Sequence, residues 1–235
     1  MRLRHKKVSW REEAKKRAAL EAEKHVREGF IVGLGTGSTA AYAIQEIGRR
    51  VKQESLRILG VPTSNQARLL AIDCGIPLTT LNEHTQLDLT IDGADQIDKR
   101  LNLIKGVGGA LTREKIVASA SKQLVIAADE TELVENLGTN HPLPVEVLPF
   151  ASATAMLRLR EMGGKPTLRE GRVGPFITDN GNFIIDVDFG PVNELEKLNA
   201  KLKLIPGMIE TGLFIEMANI VYLGKPATVQ RLERK

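Results

Sequence analysis

Residues 30–51 read F-I-V-G-L-G-T-G-S-T-A-A-Y-A-I-Q-E-I-G-R-R-V. The apolar run at 30–34 predicts a short buried strand, the glycines within 35–39 predict a turn, and residues 40–51 predict a helix. A strand, a glycine turn and a helix form the first part of a βαβ unit, in which the next strand pairs in parallel. The stretch therefore predicts an α/β fold.

The flanking sequence extends this pattern in both directions. Ser9 and Glu12 have the spacing of a capping box and open a predicted helix over 10–28, which Gly29 would end. Further apolar strands are predicted at 56–61, 87–91 and 123–128, with helices at 65–74 and 111–121 between them and a possible short strand at 76–79. Strands that alternate with helices pair in parallel through right-handed crossovers. The prediction is a doubly wound parallel sheet of the Rossmann-like class.

The pattern changes after residue 137. Strands are predicted within 141–150, at 167–169 and at 183–188, with helices at 151–161 and 192–201, followed by extended residues 212–216. This βαββαβ order predicts a ferredoxin-like α+β domain. The apolar run 219–223 would return to the first sheet. We therefore expect a Rossmann-like catalytic domain over 1–137 and 211–235, interrupted by a small α+β domain over 138–210.

Composition excludes several classes of protein. The net charge of +4 comes from basic residues at the ends of the chain, which predicts solvated termini rather than a nucleic-acid surface: Arg2, Arg4, Lys6, Lys7, Arg231, Arg234 and Lys235. Aromatic residues make up only 4%, too few for a platform on which bases stack. One cysteine, Cys74, indicates a reducing compartment. No signal peptide and no membrane-spanning segment are predicted, so we expect a cytoplasmic protein.

The glycine turn at 33–39, G-L-G-T-G-S-T, could bind phosphate. It does not match a dinucleotide site, because Ser38 stands where the third glycine is needed and the next strand ends in V-P-T-S without an acidic residue. A Walker A loop would need a lysine here. Two interpretations remain open: a nest of backbone N–H groups and hydroxyls for a phosphomonoester, or a turn that only packs helix on strand.

Two more polar loops follow predicted strands. The first is D-G-A-D at 92–95, and the second is K-G-V-G-G-A-L-T-R-E-K at 105–115. Taken singly, the aspartates could be helix caps, Lys105 a solvated lysine and Glu114 a partner of the helix dipole. The aspartate spacing is not that of a calcium loop, and no metal site is expected. Because loops at the carboxyl ends of parallel strands converge on one crevice, however, we expect all three loops to form one site.

These residues resemble a known family, the ribose-5-phosphate isomerases of the A type. The family motifs are G-T-G-S-T at 35–39, D-G-A-D at 92–95, the 105–115 stretch and P-L-P-V-E-V-L-P at 142–149, all in the family's order. The resemblance extends from the first helix to Gly224. It implies interconversion of ribose 5-phosphate and ribulose 5-phosphate without a cofactor, in the non-oxidative pentose phosphate pathway, by a homodimer or homotetramer.

The resemblance also implies roles for individual residues. Glu114 matches the general base, and Asp92, Asp95 and Lys105 match the polar residues around the reacting end of the sugar. A second group matches positions that contact the phosphate or the rest of the substrate: Lys15, Thr36, Gly37, Ser38, Thr39, Gly93, Ala94, Gly106, Val107 and Gly108.

The chain departs from the family pattern at two positions. Val107 interrupts a run of glycines, and Glu132 stands three residues beyond Asp129, where the family commonly has a lysine that contacts the substrate. A carboxylate cannot replace an ammonium group beside a phosphate. Either Lys15 and the backbone nest suffice, or another cation such as Arg113 or Lys122 replaces the missing charge.

Two other functions stay open at this stage. The same fold could form a module that senses sugar phosphates without converting them, although binding alone needs no base such as Glu114. It could also carry another isomerase or transferase activity, because a fold does not fix a function.

Overall fold

The structure is a computed structural model and describes residues 9–234. Of the basic terminal residues, Arg2, Arg4, Lys6, Lys7 and Lys235 lie outside the described residues. The helices are α1 Trp10–Glu23, α2 Ser38–Gln53, α3 Asn65–Asp73, α4 Leu111–Ser119, α5 Ser152–Glu161 and α6 Leu195–Lys203. The strands are β1 Ile31–Leu34, β2 Leu59–Pro62, β3 Leu89–Asp92, β4 Gln96–Ile97, β5 Leu103–Ile104, β6 Leu124–Asp129, β7 Leu143–Val147, β8 Lys165–Leu168, β9 Phe183–Asp188, β10 Met208–Thr211, β11 Leu213–Phe214, β12 Ile220–Gly224 and β13 Val229–Glu233.

The largest sheet has six strands in the order β13-β12-β6-β3-β1-β2. Its first five strands along the chain pair in parallel, and β13 pairs antiparallel to β12 at the edge. Leu34 is opposite Ile91, and Asp92 is opposite Ile126, so β1, β3 and β6 point the same way. The loops that follow β1 and β3 therefore leave the sheet at the same edge, where open α/β sheets bind ligands.

The two faces of this sheet are covered differently. Helices α1, α2 and α3 pack one face, where their alanines and isoleucines bury alternate residues of the strands. The other face packs against α4 and a small three-stranded sheet of order β11-β5-β4. Gly33 of β1 lies close to β3 and α4, since a Cβ there would be 2.0 Å from Thr90 Oγ1 and 2.6 Å from Val117 Cγ1.

A third, four-stranded sheet has the order β10-β7-β9-β8, and all its strands are antiparallel. With α5 and α6 it completes the βαββαβ order, and its strands and helices share one apolar core. The predicted fold class, a Rossmann-like sheet with an inserted ferredoxin-like unit, is confirmed. The domain boundaries at 137/138 and 210/211 remain a prediction.

Several element boundaries differ from the predictions. Helix α1 ends at Glu23 rather than at 28, because the Arg50 guanidinium donates to the carbonyl of Val26 and pairs with Glu23, and the chain turns there. Helix α2 begins at Ser38, earlier than expected, after Gly37 with φ of 105°. Residues 76–79 form only a single bridge, between Leu78 and Gly60. Helix α6 is displaced toward the C-terminus, and β4 and β13 were not predicted.

Within residues 9–234, no helix combines the length and apolarity needed to cross a membrane.

Candidate active site

Asp92, the last residue of β3, joins the first two polar loops. Its Oδ1 accepts hydrogen bonds from the N–H groups of Thr36, at 3.1 Å, and Gly93, at 2.8 Å. The loop after β1 approaches closely because residue 35 is glycine: a Cβ at that position would be 2.3 Å from Asp92 Oδ1. Asp92 is 1% exposed, so these contacts hold a carboxylate in the interior of the protein.

Lys105 brings in the third loop. It follows β5 directly, and its side chain is only 4% exposed. Its Nζ donates to the carbonyl oxygen of Gly93 at 2.7 Å, and it lies 3.1 Å from Asp92 Oδ2 and 3.3 Å from Glu114 Oε2. A buried ammonium is stable only when charges of opposite sign compensate for its lost hydration. The two carboxylates provide that compensation.

Glu114 lies in the first turn of α4 and is 4% exposed. Its Oε2 makes no hydrogen bond to any residue within 9–234, although the Lys105 ammonium is nearby. Burial raises the pKa of Glu114, Lys105 opposes the rise, and the negative charges of Asp92 and Asp95 add to it; the resulting pKa is about 8. A carboxylate with a pKa near the working pH and a free lone pair is suited to proton transfer.

The neighbours of Glu114 have shifted pKa values too. Burial raises the pKa of Asp92, while Lys105 and two backbone N–H groups oppose the rise. Burial alone would lower the pKa of Lys105, but the charges of Asp92, Glu114 and Asp95 outweigh burial and raise it. Asp92 accepts two N–H groups that favour its ionised form. The Oε2 atom of Glu114 accepts no backbone N–H, so fewer hydrogen bonds oppose the effect of burial on the pKa of Glu114.

Asp95 connects this cluster to the glycine loop. Its Oδ2 accepts the N–H of Val107 at 2.9 Å. Gly106 has φ of 122° and Gly109 has φ of 73°, conformations that favour glycine, so the loop folds back toward the strand ends. A Cβ at Gly108 would lie 3.7 Å from Thr36 Cγ2. The first and third polar loops are therefore neighbours, as predicted.

Beside Asp95 is an open cleft of about 450 Å³. Its polar wall includes Lys15 of α1, Ser38 at the start of α2, and Glu132. Lys15 forms an ion pair with Glu132 and lies 3.6 Å from Asp129 Oδ2. Burial raises the pKa of Glu132 to about 7 although Lys15 opposes the rise. Burial alone would lower the pKa of Lys15, but Glu132 and Asp129 outweigh burial, so the pKa is raised.

Comparison with known proteins identifies the family. The sequence model of the protein family ribose 5-phosphate isomerase A (phosphoriboisomerase A) matches residues 59–228 of the chain. The chain is 48% identical to the ribose-5-phosphate isomerase A of Methanosarcina acetivorans over 223 residues, 94% of each chain, and 48% identical to that of Methanothermobacter thermautotrophicus over 212 residues, 89% of this chain and 93% of the relative. The chain belongs to the ribose 5-phosphate isomerase A family.

Solved structures agree with this assignment. The ribose 5-phosphate isomerase A of Methanocaldococcus jannaschii has a TM-score of 0.91 and 43% identity, and covers 94% of this chain and 99% of that one. A D-ribose-5-phosphate isomerase in complex with phospho-erythronic acid has a TM-score of 0.93 and 44% identity, and covers 95% of this chain and 99% of that one. The resemblance drawn from the motifs is confirmed, as is the prediction of an enzyme that is an aldose–ketose isomerase of phosphorylated sugars.

The isomerase motif at 35–39 presents backbone groups and Ser38 to the cleft, but not the Thr36 or Thr39 side chains. The Thr36 hydroxyl bonds to the hydroxyls of Thr63 and Ser64, each at 2.7 Å, so it is already engaged. Gly37 caps α2 without a side-chain hydrogen bond, which leaves the N–H groups of the first turn without a side-chain acceptor. Thr39 is 6% exposed, and a Cβ at Gly93 would be 3.6 Å from its Cβ. Ala94, at the centre of D-G-A-D, is also buried.

Neither cation suggested as a substitute for the family lysine faces the cleft. The Arg113 side chain donates to Asn180 Oδ1 at 2.7 Å and to the Asp179 carbonyl at 2.9 Å. Lys122 pairs with Asp88 at 2.7 Å. Both suggestions were wrong, because these side chains have partners on other surfaces of the fold.

Among the cleft residues that the sequence did not indicate, Arg11 and His141 are the basic ones. Arg11 precedes Lys15 by four residues on α1, so helical periodicity could have indicated that they share a face. His141 directly precedes the isomerase motif at 142–149, and its buried Nε2 makes no hydrogen bond within the described part of the chain. No local pattern marked His141, because its place in the cleft depends on how β7 packs.

Residues 9–234 contain no group of three or more His, Cys, Asp and Glu side chains arranged to hold a metal ion.

Proposed function

We propose that the chain interconverts D-ribose 5-phosphate and D-ribulose 5-phosphate through a cis-enediolate, with Glu114 as the general base. The observation that carries the proposal is the buried Glu114 carboxylate, with a pKa of about 8, held 3.3 Å from the Lys105 ammonium. A base and a cation at this separation can act on adjacent atoms of one substrate. The isomerisation moves one proton between adjacent carbons, so one base can perform it.

In the forward direction, ionised Glu114 takes the proton from C2 of the open-chain aldose. The C2–H electron pair forms the C1–C2 double bond, and the carbonyl electrons move to O1. Return of the proton from Glu114 to C1, with transfer of the O2 hydroxyl proton to O1, gives the ketose. No oxidant or reductant is consumed. Removal of the base from such a reaction typically costs a factor of about 10² to 10⁴ in rate.

Lys105 would stabilise the negative oxygen of the enediolate. A fixed cation in a buried site acts strongly on developing charge, since little solvent screens it. Asp92 would hold Lys105 in place, and Asp95, which borders the cleft, would exchange protons with the sugar hydroxyls and ring oxygen. The glycine loop at 106–108 would close over the sugar and offer its backbone N–H groups.

The phosphate of the substrate would lie in the cleft beside Lys15 and the start of α2. The α2 N-terminus offers free N–H groups and a favourable dipole, and Ser38 adds a hydroxyl. Arg11 lines the same cleft and would supply the positive charge that the family lysine supplies elsewhere, and the His141 ring would offer a hydrogen bond. Lys15 would exchange its partner Glu132 for the phosphate when substrate binds.

We also propose a homodimer or homotetramer, which the family resemblance implies, and a cytoplasmic location, which the single Cys74 favours. Residues 1–137 and 211–235 would form the catalytic domain and 138–210 the small domain. Light scattering on the purified protein would measure its mass in solution. Limited proteolysis would find the domain boundaries.

The decisive experiment is Glu114→Gln, which keeps the shape of the side chain and removes the base. We expect turnover of ribose 5-phosphate to fall more than about 100-fold. Glu135→Gln is a matched control, because Glu135 is 72% exposed and its only ion pair within the described residues is with Lys99. Near-normal turnover of Glu114→Gln would reject the assignment. A protein that binds ribose 5-phosphate without producing ketose would support the sensing function instead.

A further inference from the structure

Helix α4 carries the base within the sequence T-R-E-K, residues 112–115, and the other three side chains of this run all contact the small α+β unit. Thr112 Oγ1 donates to Glu146 Oε2 at 2.5 Å. Arg113 donates to Asn180 and Asp179, and Lys115 donates to Glu210 Oε1 at 2.9 Å and the Thr211 carbonyl at 2.6 Å. Glu114 alone points to Lys105. The base is thus flanked on both sides by residues held from the same unit.

Glu146, on β7, is the centre of these contacts. It is fully buried, and within residues 9–234 its side chain accepts hydrogen bonds only from uncharged side chains. Besides Thr112, it accepts hydrogen bonds at Oε1 from Thr178 Oγ1 at 2.9 Å, Asn182 Nδ2 at 2.8 Å and Asn180 Nδ2 at 3.1 Å. All four donors are neutral. A carboxylate loses its hydration when it is buried, so its oxygens must accept hydrogen bonds from the protein. A network that supplies all of these hydrogen bonds holds its members in a defined geometry.

Both routes from Glu146 lead to the residues next to the base. The first is direct, through the Thr112 hydroxyl. The second runs through Asn180, whose side chain donates to Glu146 and accepts from Arg113. Neither route touches Lys105 or Asp92. The network therefore acts on the position of α4 rather than on the charges around the base.

Helix α4 needs such support because its own start is weak. Its N-cap residue is Ala110, which makes no side-chain capping bond. Before it, Gly109 has φ of 73°, and a Cβ there would lie 2.3 Å from Phe176 Cε1. Without a cap, the first turn of a helix is the part that frays first. The base is located in that turn, so its position depends on contacts made from outside the helix.

We propose that Glu146 is a positioning residue for the reaction: through Thr112 and Asn180 it fixes the first turn of α4 so that Glu114 lies against Lys105. This role rests on the proposed function of Glu114 as the base. It also assigns a purpose to the glutamate of the motif P-L-P-V-E-V-L-P, which the chemistry of the site leaves unexplained.

The test uses Thr112, where the hydroxyl can be removed without changing the shape of the side chain. Thr112→Val loses the bond to Glu146, and Thr112→Ser keeps it. We expect Thr112→Val to lower kcat about tenfold or more with KM within about twofold, because misplacement of a catalytic group by about 1 Å costs up to 10²-fold. Thr112→Ser should restore kcat to within about twofold of the wild type. Glu146→Gln should behave like Thr112→Val, since its amide nitrogen cannot accept the bonds that the carboxylate accepts.

A double-mutant cycle separates positioning of the base from general damage. If Thr112 acts through Glu114, Thr112→Val should have little further effect on kcat when Glu114→Gln is already present. An equal loss of kcat in both backgrounds would overturn the proposal, as would wild-type kcat in Thr112→Val or failure of Thr112→Ser to restore it. The two proposals fail differently. Normal turnover of Glu114→Gln removes the base assignment and the positioning role with it, whereas an inactive Glu114→Gln with an unaffected Thr112→Val removes the positioning role alone.

Discussion

The substitution Glu114→Gln should stabilise the folded protein in a pH-dependent manner. The pKa of Glu114 is about 8 in the folded protein, against a reference value of 4.5. Between these two values the folded state holds a proton that the unfolded state has lost, so the free energy of unfolding falls as pH rises through this window. The full pKa difference corresponds to about 5 kcal/mol at about 1.4 kcal/mol per pH unit. Glutamine does not titrate, so the variant avoids this loss.

The measurable quantity is the difference in unfolding free energy between variant and wild type. Losing the contact with Lys105 adds a cost that depends little on pH, because Asp92 still pairs with that lysine. The difference should therefore grow by about 3 kcal/mol in favour of the variant between pH 5 and pH 8. Urea unfolding at pH 5, 6.5 and 8 would measure it, with Glu135→Gln as the control that should show no such trend. A difference that stays constant with pH would refute the argument that burial raises the pKa of Glu114.

Three further predictions concern the cleft, the base and the core. Since Glu114 must be ionised to accept a proton, kcat/KM should rise about tenfold per pH unit below about pH 8 and level off above it. A flat profile from pH 6 to 9 would contradict the raised pKa of Glu114. Glu132→Gln frees Lys15 from an ion pair worth about 1 kcal/mol, so KM for ribose 5-phosphate should fall about fivefold with kcat within twofold. Steady-state kinetics would measure this, and the control Glu135→Gln should leave KM unchanged. An equal or higher KM in Glu132→Gln would refute the exchange of Glu132 for the substrate phosphate. Gly33→Ala places a Cβ 2.0 Å from the Thr90 hydroxyl and should lower the free energy of unfolding by about 1 to 3 kcal/mol, seen as a melting temperature lower by several degrees. Gly108→Ala is the control, because the nearest atom to its Cβ would be 3.7 Å away, and it should melt close to the wild type. Equal melting temperatures for the two variants would show that the core relaxes around the added methyl group.

The parallel part of the fold was predictable because its signals are local. The apolar run ending at Leu34 and the glycines after it define a strand and a turn within ten residues of sequence. The edge strand β13 could not be predicted in this way. Its sequence V-Q-R-L-E is mixed in polarity, and it becomes a strand because β12 offers an unpaired edge beside it. That partner is fixed only when the sheet has formed.

The same distinction applies to the site. Asp92 and the 35–39 loop could be predicted as neighbours, since β1 and β3 are adjacent parallel strands whose loops leave the sheet at one edge. Lys105 follows β5, which belongs to the small antiparallel sheet, so its contacts with Asp92 and Glu114 do not follow from the order of the parallel strands. The pairing of Lys15 with Glu132 joins residues 117 positions apart, and the bond from Thr112 to Glu146 joins residues 34 apart. Neither follows from spacing or periodicity. Such contacts depend on the angle at which helices and sheets pack, which the sequence pattern does not encode locally.

The attachment of α4 to the small unit also bears on how the enzyme acquires activity as it folds. A chain in which only the parallel sheet has formed would already possess the first turn of α2 and Lys15, and could hold a phosphate. It would lack a fixed base, because Glu146, Asn180 and Glu210 belong to the small α+β unit. Ligand affinity and turnover would then recover in separate phases during refolding, so that turnover reports on the assembly of the whole tertiary structure.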